Sequence, residues 1–137
     1  MKVLRSVASV LVSYAAVYLF FVLIDPVFYR MFPGQYSPGS VPPTSLLWIC
    51  MATFAVASVL GGWLCVWIAP SRPGIHLLAL IILGEFAWTV SAAGLWAAWP
   101  HWYFLVWMLA VWPGCLGMGA LGRKTSKKQA IASIGVS

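Results

Sequence analysis

The stretch from Ile75 to Trp96 constrains this chain most: twenty-two predominantly apolar residues with a single carboxylate, Glu85, at their centre. At about 1.5 Å per helical residue such a run reaches roughly 33 Å, enough to cross a hydrocarbon core of about 30 Å. Glu85 then falls near the midplane, where a formal charge costs roughly 2.5 to 3.5 kcal/mol on insertion scales. The group must be paired, hydrated or protonated there. No Lys or Arg lies at a comparable depth, so Glu85 is expected to be largely uncharged at neutral pH.

The remainder of the chain places that span in lipid rather than in a soluble core. Hydrophobic residues make up 63% of the sequence and charged residues 7%, against about a quarter charged in a soluble domain. An all-α integral membrane protein is predicted. Eight Lys and Arg against two acids, Asp25 and Glu85, would suit a nucleic-acid partner if the basic residues shared one folded surface. Instead Lys2, Arg5, Arg72, Arg123, Lys124, Lys127 and Lys128 flank apolar runs, a distribution that sets orientation in a bilayer and gives no reason to expect nucleic acid. Cys50, Cys65 and Cys115 lie inside apolar runs with no Cys-x-x-Cys pair, so they are read as small packing residues. His76 stands nine residues from Glu85, about half a turn out of phase on a helix, and His101 sits at a span boundary. Neither a metal nor another cofactor is expected.

Four transmembrane helices are predicted, over about 6–24, 45–69, 75–96 and 103–121. Lys2 and Arg5 open the first, whose apolar run is too long for a signal peptide. Asp25-Pro26 is expected to stop it, because proline lacks an N–H and disfavours helical geometry in the residue before it. Residues 25–44 hold five prolines and two glycines and are read as one long non-cytoplasmic loop. Phe28, Tyr29 and Phe32 would lie at the headgroup level, and Arg30 can reach Asp25 or a lipid phosphate. Thr44 or Ser45 is expected to cap the second helix, which Pro70 ends. The short turns at Ser71-Arg72-Pro73-Gly74 and Trp99-Pro100-His101-Trp102 make the last three helices antiparallel neighbours. Ala57 with Gly61, Ser58 with Gly62, and the series Gly114, Gly117, Gly119 and Gly122 allow close backbone approach.

Four crossings put both termini on one side. Seven basic residues there against Arg30 on the other predict cytoplasmic termini, in the cell (inner) membrane. The chain thus divides into a four-helix antiparallel bundle, residues 1–121, and a basic tail, 122–137. In the tail Arg123, Lys124, Lys127 and Lys128 are candidate ligands for anionic lipid headgroups, each worth about 1 kcal/mol beside such a surface. The end from Gln129 onward is expected to be mobile.

Counting from the helix ends brings Tyr14, Ser58, Glu85 and Trp112 to one depth. Pro113 frees the carbonyl of Leu109, an acceptor that a protonated Glu85 is able to satisfy. Two readings follow. In the first, Glu85 ties the helices together through Tyr14, Ser58, Thr89 and the Leu109 carbonyl, and the chain is a non-catalytic accessory or self-associating subunit that packs through its small-residue faces against copies of itself or a larger membrane complex. Alternatively Glu85 exchanges a proton as a cation or amine enters a cavity walled by Trp88, Trp107 and Trp112, making it a small proton-linked transporter. No enzymatic activity is expected, since the sequence shows no paired carboxylates, Ser-His-Asp arrangement or glycine-rich phosphate loop.

In outline, four helices with one intramembrane glutamate resemble the small multidrug-resistance transporters. That family carries its glutamate in the first helix, and this chain has no acid between Ser6 and Ile24, so no residue is carried over. The last two spans, with Trp99-Pro100-His101-Trp102-Tyr103 opening the fourth and Gly122-Arg123 closing it, resemble a set of small uncharacterised bacterial four-span membrane proteins. That resemblance implies the four-span fold and no activity.

Overall fold

A computed structural model describes residues 1–36 and 40–134, and every regular element among them is helical. Pro38 and Gly39 of the expected loop lie outside the described residues, as do 135–137 of the expected mobile end and the side chains of Lys2 and Lys127. The elements are α1 (Lys2–Met31), α2 (Thr44–Ile68), α3 (Pro73–Leu95), α4 (His101–Val106), a π-helical turn (Trp107–Val111) and α5 (Trp112–Ile134). The last three run on without a break, and among the described residues four helices are long and apolar enough to cross a membrane.

Three boundaries differ from expectation, each for a physical reason. α1 does not stop at Asp25-Pro26; it passes through Pro26 to Met31. One missing N–H near a helix end removes a single ladder bond, and the extra turn buries Phe28 at 5% exposure and packs the rings of Phe28 and Tyr29 against Tyr36. The chain turns away only after Phe32, where the N–H groups of Gln35 and Tyr36 both donate to the Phe32 carbonyl at 3.1 Å. Gly34 lies within that turn at φ +83°, a left-handed conformation that favours glycine. At the start of α2, Pro43 occupies the N-cap in place of Thr44 or Ser45. At the other end of the molecule the expected tail is a continuation of α5 as far as Ile134. No proline follows Pro113 to break it, and Thr125 and Ser126 bond back to the Gly122 carbonyl at 2.9 and 3.0 Å.

α2 is the centre of the bundle. It packs on α1, on α3 and most extensively on α5. Lipid tails are as apolar as leucine, so helices in a bilayer are held by close packing more than by removal from water. The small residues of α2 supply that closeness within this one chain. A side chain at Gly62 would run into the Leu116 carbonyl, one at Gly119 into the Val59 carbonyl, and one at Gly61 into Val17. Ala57 and Ser58 are buried on the same helix. By contrast, a Cβ at Gly114, Gly117 or Gly122 meets nothing within 4 Å. The glycine series of the fourth span is therefore used at one position and open at three.

Candidate functional site

Pro113 sits two residues beyond a widened turn. In that turn the Trp112 N–H donates to the Trp107 carbonyl five residues earlier. A hydrogen bond across five residues stacks the first and last of them on one helix face, where a regular α-helix would set them about 140° apart. Trp107 and Trp112 consequently both face inward, with ring centroids 6.2 Å apart and each under 5% exposed. The Trp112 indole N–H donates to the Ile81 carbonyl at 3.1 Å. Its ring lies against the bare backbone of Gly84, where any larger residue would collide with it. Trp107 packs 5.4 Å from both Phe54 and Trp88.

Two cavities, each of about 260 Å3, adjoin this aromatic cluster. Tyr14, Ser91, Trp107 and Trp112 line the first, and Tyr36, Cys50, Trp99 and Tyr103 the second. Asp25, Phe54 and Trp88 line both. The Tyr36 hydroxyl donates to Asp25 Oδ1 at 2.6 Å. Burial first, and the adjacent Asp25 second, push the Tyr36 phenol well above its usual range, so it remains a proton donor to the carboxylate. Asp25 Oδ2 makes no hydrogen bond among the described residues. The Trp88 indole N–H is likewise buried without a partner among them.

Trp88, Trp107 and Trp112 thus wall a cavity, as the sequence suggests, but Glu85 lines neither one. The expected constellation around it is dispersed. Ser58 donates to the carbonyl of Phe54 at 2.9 Å, within its own helix. Thr89 donates to the backbone carbonyl of Glu85 at 2.7 Å, and Trp112 is engaged with Ile81. Tyr14 faces the first cavity. The Glu85 carboxyl is half-buried and makes no hydrogen bond among the described residues, to the Leu109 carbonyl or to any other group. α3 turns Leu80, Gly84 and Ala92 into the bundle, and Glu85, one residue past Gly84, stands about 100° further round.

The acid that does reach a cavity is Asp25, which in sequence looks like a helix stop. The available signal was Pro26 inside an otherwise apolar run, since membrane helices tolerate proline where neighbouring groups satisfy the freed carbonyl. Tyr36, not Arg30, is its partner. In the tail, the Arg123 guanidinium lies 5.4 Å over the Trp63 ring, while Lys124 and Lys128 are exposed. Comparison with protein-family models, with curated proteins and with solved structures found no match.

Proposed function

We propose that this chain is a non-catalytic, self-associating subunit of the cell (inner) membrane, with cytoplasmic termini, and that two copies meet along the α3 face carrying Glu85 and Thr89. The observation that carries the reading is the Glu85 carboxyl, at the middle of α3, without a hydrogen bond among the described residues. Ionisable groups at that depth almost always face a protein partner or a water-filled cavity. A second copy is the partner whose chemistry fits. A protonated carboxyl both donates and accepts, so a two-fold axis beside α3 lets each Glu85 satisfy the other. The exposed Ile82, Phe86 and Val90 lie along the neighbouring surface of α3 and give such a contact its apolar surroundings. The small-residue face of α2 does not serve this purpose, because α1 and α5 already cover it.

Glu85→Leu is expected to weaken dimerisation about five- to thirtyfold, the equivalent of the roughly 1 to 2 kcal/mol that interhelical hydrogen bonds contribute in model peptides. Glu85→Gln, which keeps a donor and an acceptor, should dimerise nearly as wild type. Subunit counting by photobleaching in lipid bilayers reads both. A wild-type chain that stays monomeric, or a Leu variant that associates normally, would sink the proposal.

The distribution of basic residues supports the orientation, and exposed Lys124 and Lys128 on the extended α5 support a contact with anionic headgroups. Replacing Lys124, Lys127 and Lys128 together by Gln is expected to lower the ratio of phosphatidylglycerol to phosphatidylcholine that co-purifies with the protein from mixed vesicles. Mass spectrometry of the retained lipid measures it, and an unchanged ratio would remove the lipid-anchoring role.

A further inference from the structure

We infer that the two adjoining cavities form a single binding site for a small organic ammonium ion, with Asp25 as its counter-charge and the surrounding aromatic rings as its walls. Among the described residues Asp25 is the one charged residue that lines either cavity, and it lines both. An anionic ligand is thereby excluded. The rings at the junction, Phe54 and Trp88, and those deeper in, Trp107 and Trp112, present the π-faces that attract a desolvated cation. A bare metal ion fits poorly, because Ca2+ or Mg2+ requires about six oxygen ligands and the lining offers one carboxylate with scattered hydroxyls. A lipid acyl chain has no use for a carboxylate in its berth.

Other details of the site fit the same ligand. Tyr36 holds one carboxylate oxygen and fixes the plane of the group, leaving Oδ2 for the ammonium. A cavity of about 150 Å3 accommodates benzene, so either lobe, at about 260 Å3, suits a body of roughly ten non-hydrogen atoms. The site differs from the Glu85 contact in residues and in location, since Glu85 lines neither cavity.

The test uses the full-length protein in dodecyl-maltoside micelles, whose headgroups carry no amine, and 2-phenoxyethylamine as the probe. Saturable quenching of tryptophan emission, matched by calorimetry, is expected. Phenoxyethanol and phenoxyacetate, the same body with neutral and anionic ends, should bind at least tenfold more weakly. Asp25→Asn, which keeps an acceptor for Tyr36, should weaken amine binding at least tenfold without shifting the melting temperature. Ser91→Leu fills the first cavity from α3 and should weaken binding to a similar degree with no change of charge. Glu85→Gln should bind the amine as wild type does, so that failure of the association reading and failure of this one remain separable. Competition by added phosphatidylethanolamine assigns the ammonium to a lipid headgroup, and absence of competition assigns it to a free amine; either agrees with the site. No saturable binding to the wild type, equal affinity for amine and alcohol, or undiminished binding to both Asp25→Asn and Ser91→Leu would overturn it.

Discussion

Gly119→Val is expected to abolish the folded bundle, whereas Gly114→Val, five residues earlier on the same helix, is expected to leave it intact. The Cβ of any residue at 119 lands on the Val59 carbonyl and within 2.8 Å of the Trp63 nitrogen. Both obstacles are backbone, so neither yields by changing rotamer. Relief requires α5 to move off α2, and α2–α5 is the most extensive helix pair in the molecule. Dispersion contacts across such a pair fall steeply with separation, a gap of about 0.5 to 1 Å forfeiting a quarter to a half of each. Because the displaced helices find equally apolar lipid, little restores them to register. A loss of at least about 3 kcal/mol follows, at the upper end of overpacking effects. Gly62→Val meets the Leu116 carbonyl from the opposite helix and should act similarly, with the double variant far from additive because both changes open one interface. At Gly114 there is nothing within 4 Å, and an effect within about 0.5 kcal/mol is expected. Thermal melting in dodecyl maltoside separates these outcomes. A Gly119→Val protein that melts with the wild type would show that α2 and α5 do not pack in this way.

What could be read from sequence divides along a physical line. Apolar length and basic flanks signal the number of spans, and small residues signal where a backbone can come close. Ala57, Ser58, Gly61 and Gly62 do lie on the buried side of α2. Counting from the helix ends assigns each residue a depth but no azimuth, and the candidate site depends on azimuth. α3 is apolar around its whole circumference, so no stripe distinguishes the side that meets the bundle from the side that meets lipid. Counting puts Glu85 and Tyr14 at one height, yet Tyr14 lines a cavity that Glu85 does not. The Asp25 site lay further from reach. It depends on α1 continuing through Pro26 and on Tyr36 folding back across eleven residues to the carboxylate. The rule that proline ends a helix holds where water competes for the freed carbonyl, and weakens where close packing supports the next turn. The end from Gln129 onward reads as mobile from its terminal position alone, yet α5 continues to Ile134 and no residue from Gly122 to Ile134 is a proline.

The widened turn before Pro113 leads to the second large effect, a difference between two deletions. Removing Ala110 together with Pro113→Ala is expected to preserve the fold, while removing Met118 is expected to destroy it. Both deleted residues are exposed on the fourth span, so lost side-chain contacts do not distinguish them; register does. A π-turn is an α-turn carrying one extra residue. Without Ala110, Trp107 and Trp112 become four residues apart and still share a face, now with α-helical hydrogen bonds. Everything after them stays in place, including Leu116 against Gly62 and Gly119 against Val59. The accompanying Pro113→Ala is needed because a proline ring clashes with the carbonyl four residues back once the turn narrows. No spare residue exists at Met118. Its loss turns the rest of α5 by about 100° and brings Ala120 into the position of Gly119, where a Cβ meets the Val59 carbonyl. The first variant should melt within a few degrees of wild type as a monodisperse species, and the second should aggregate on extraction. If both deletions prove equally destructive, the inward pairing of Trp107 and Trp112 does not arise from the extra residue in that turn.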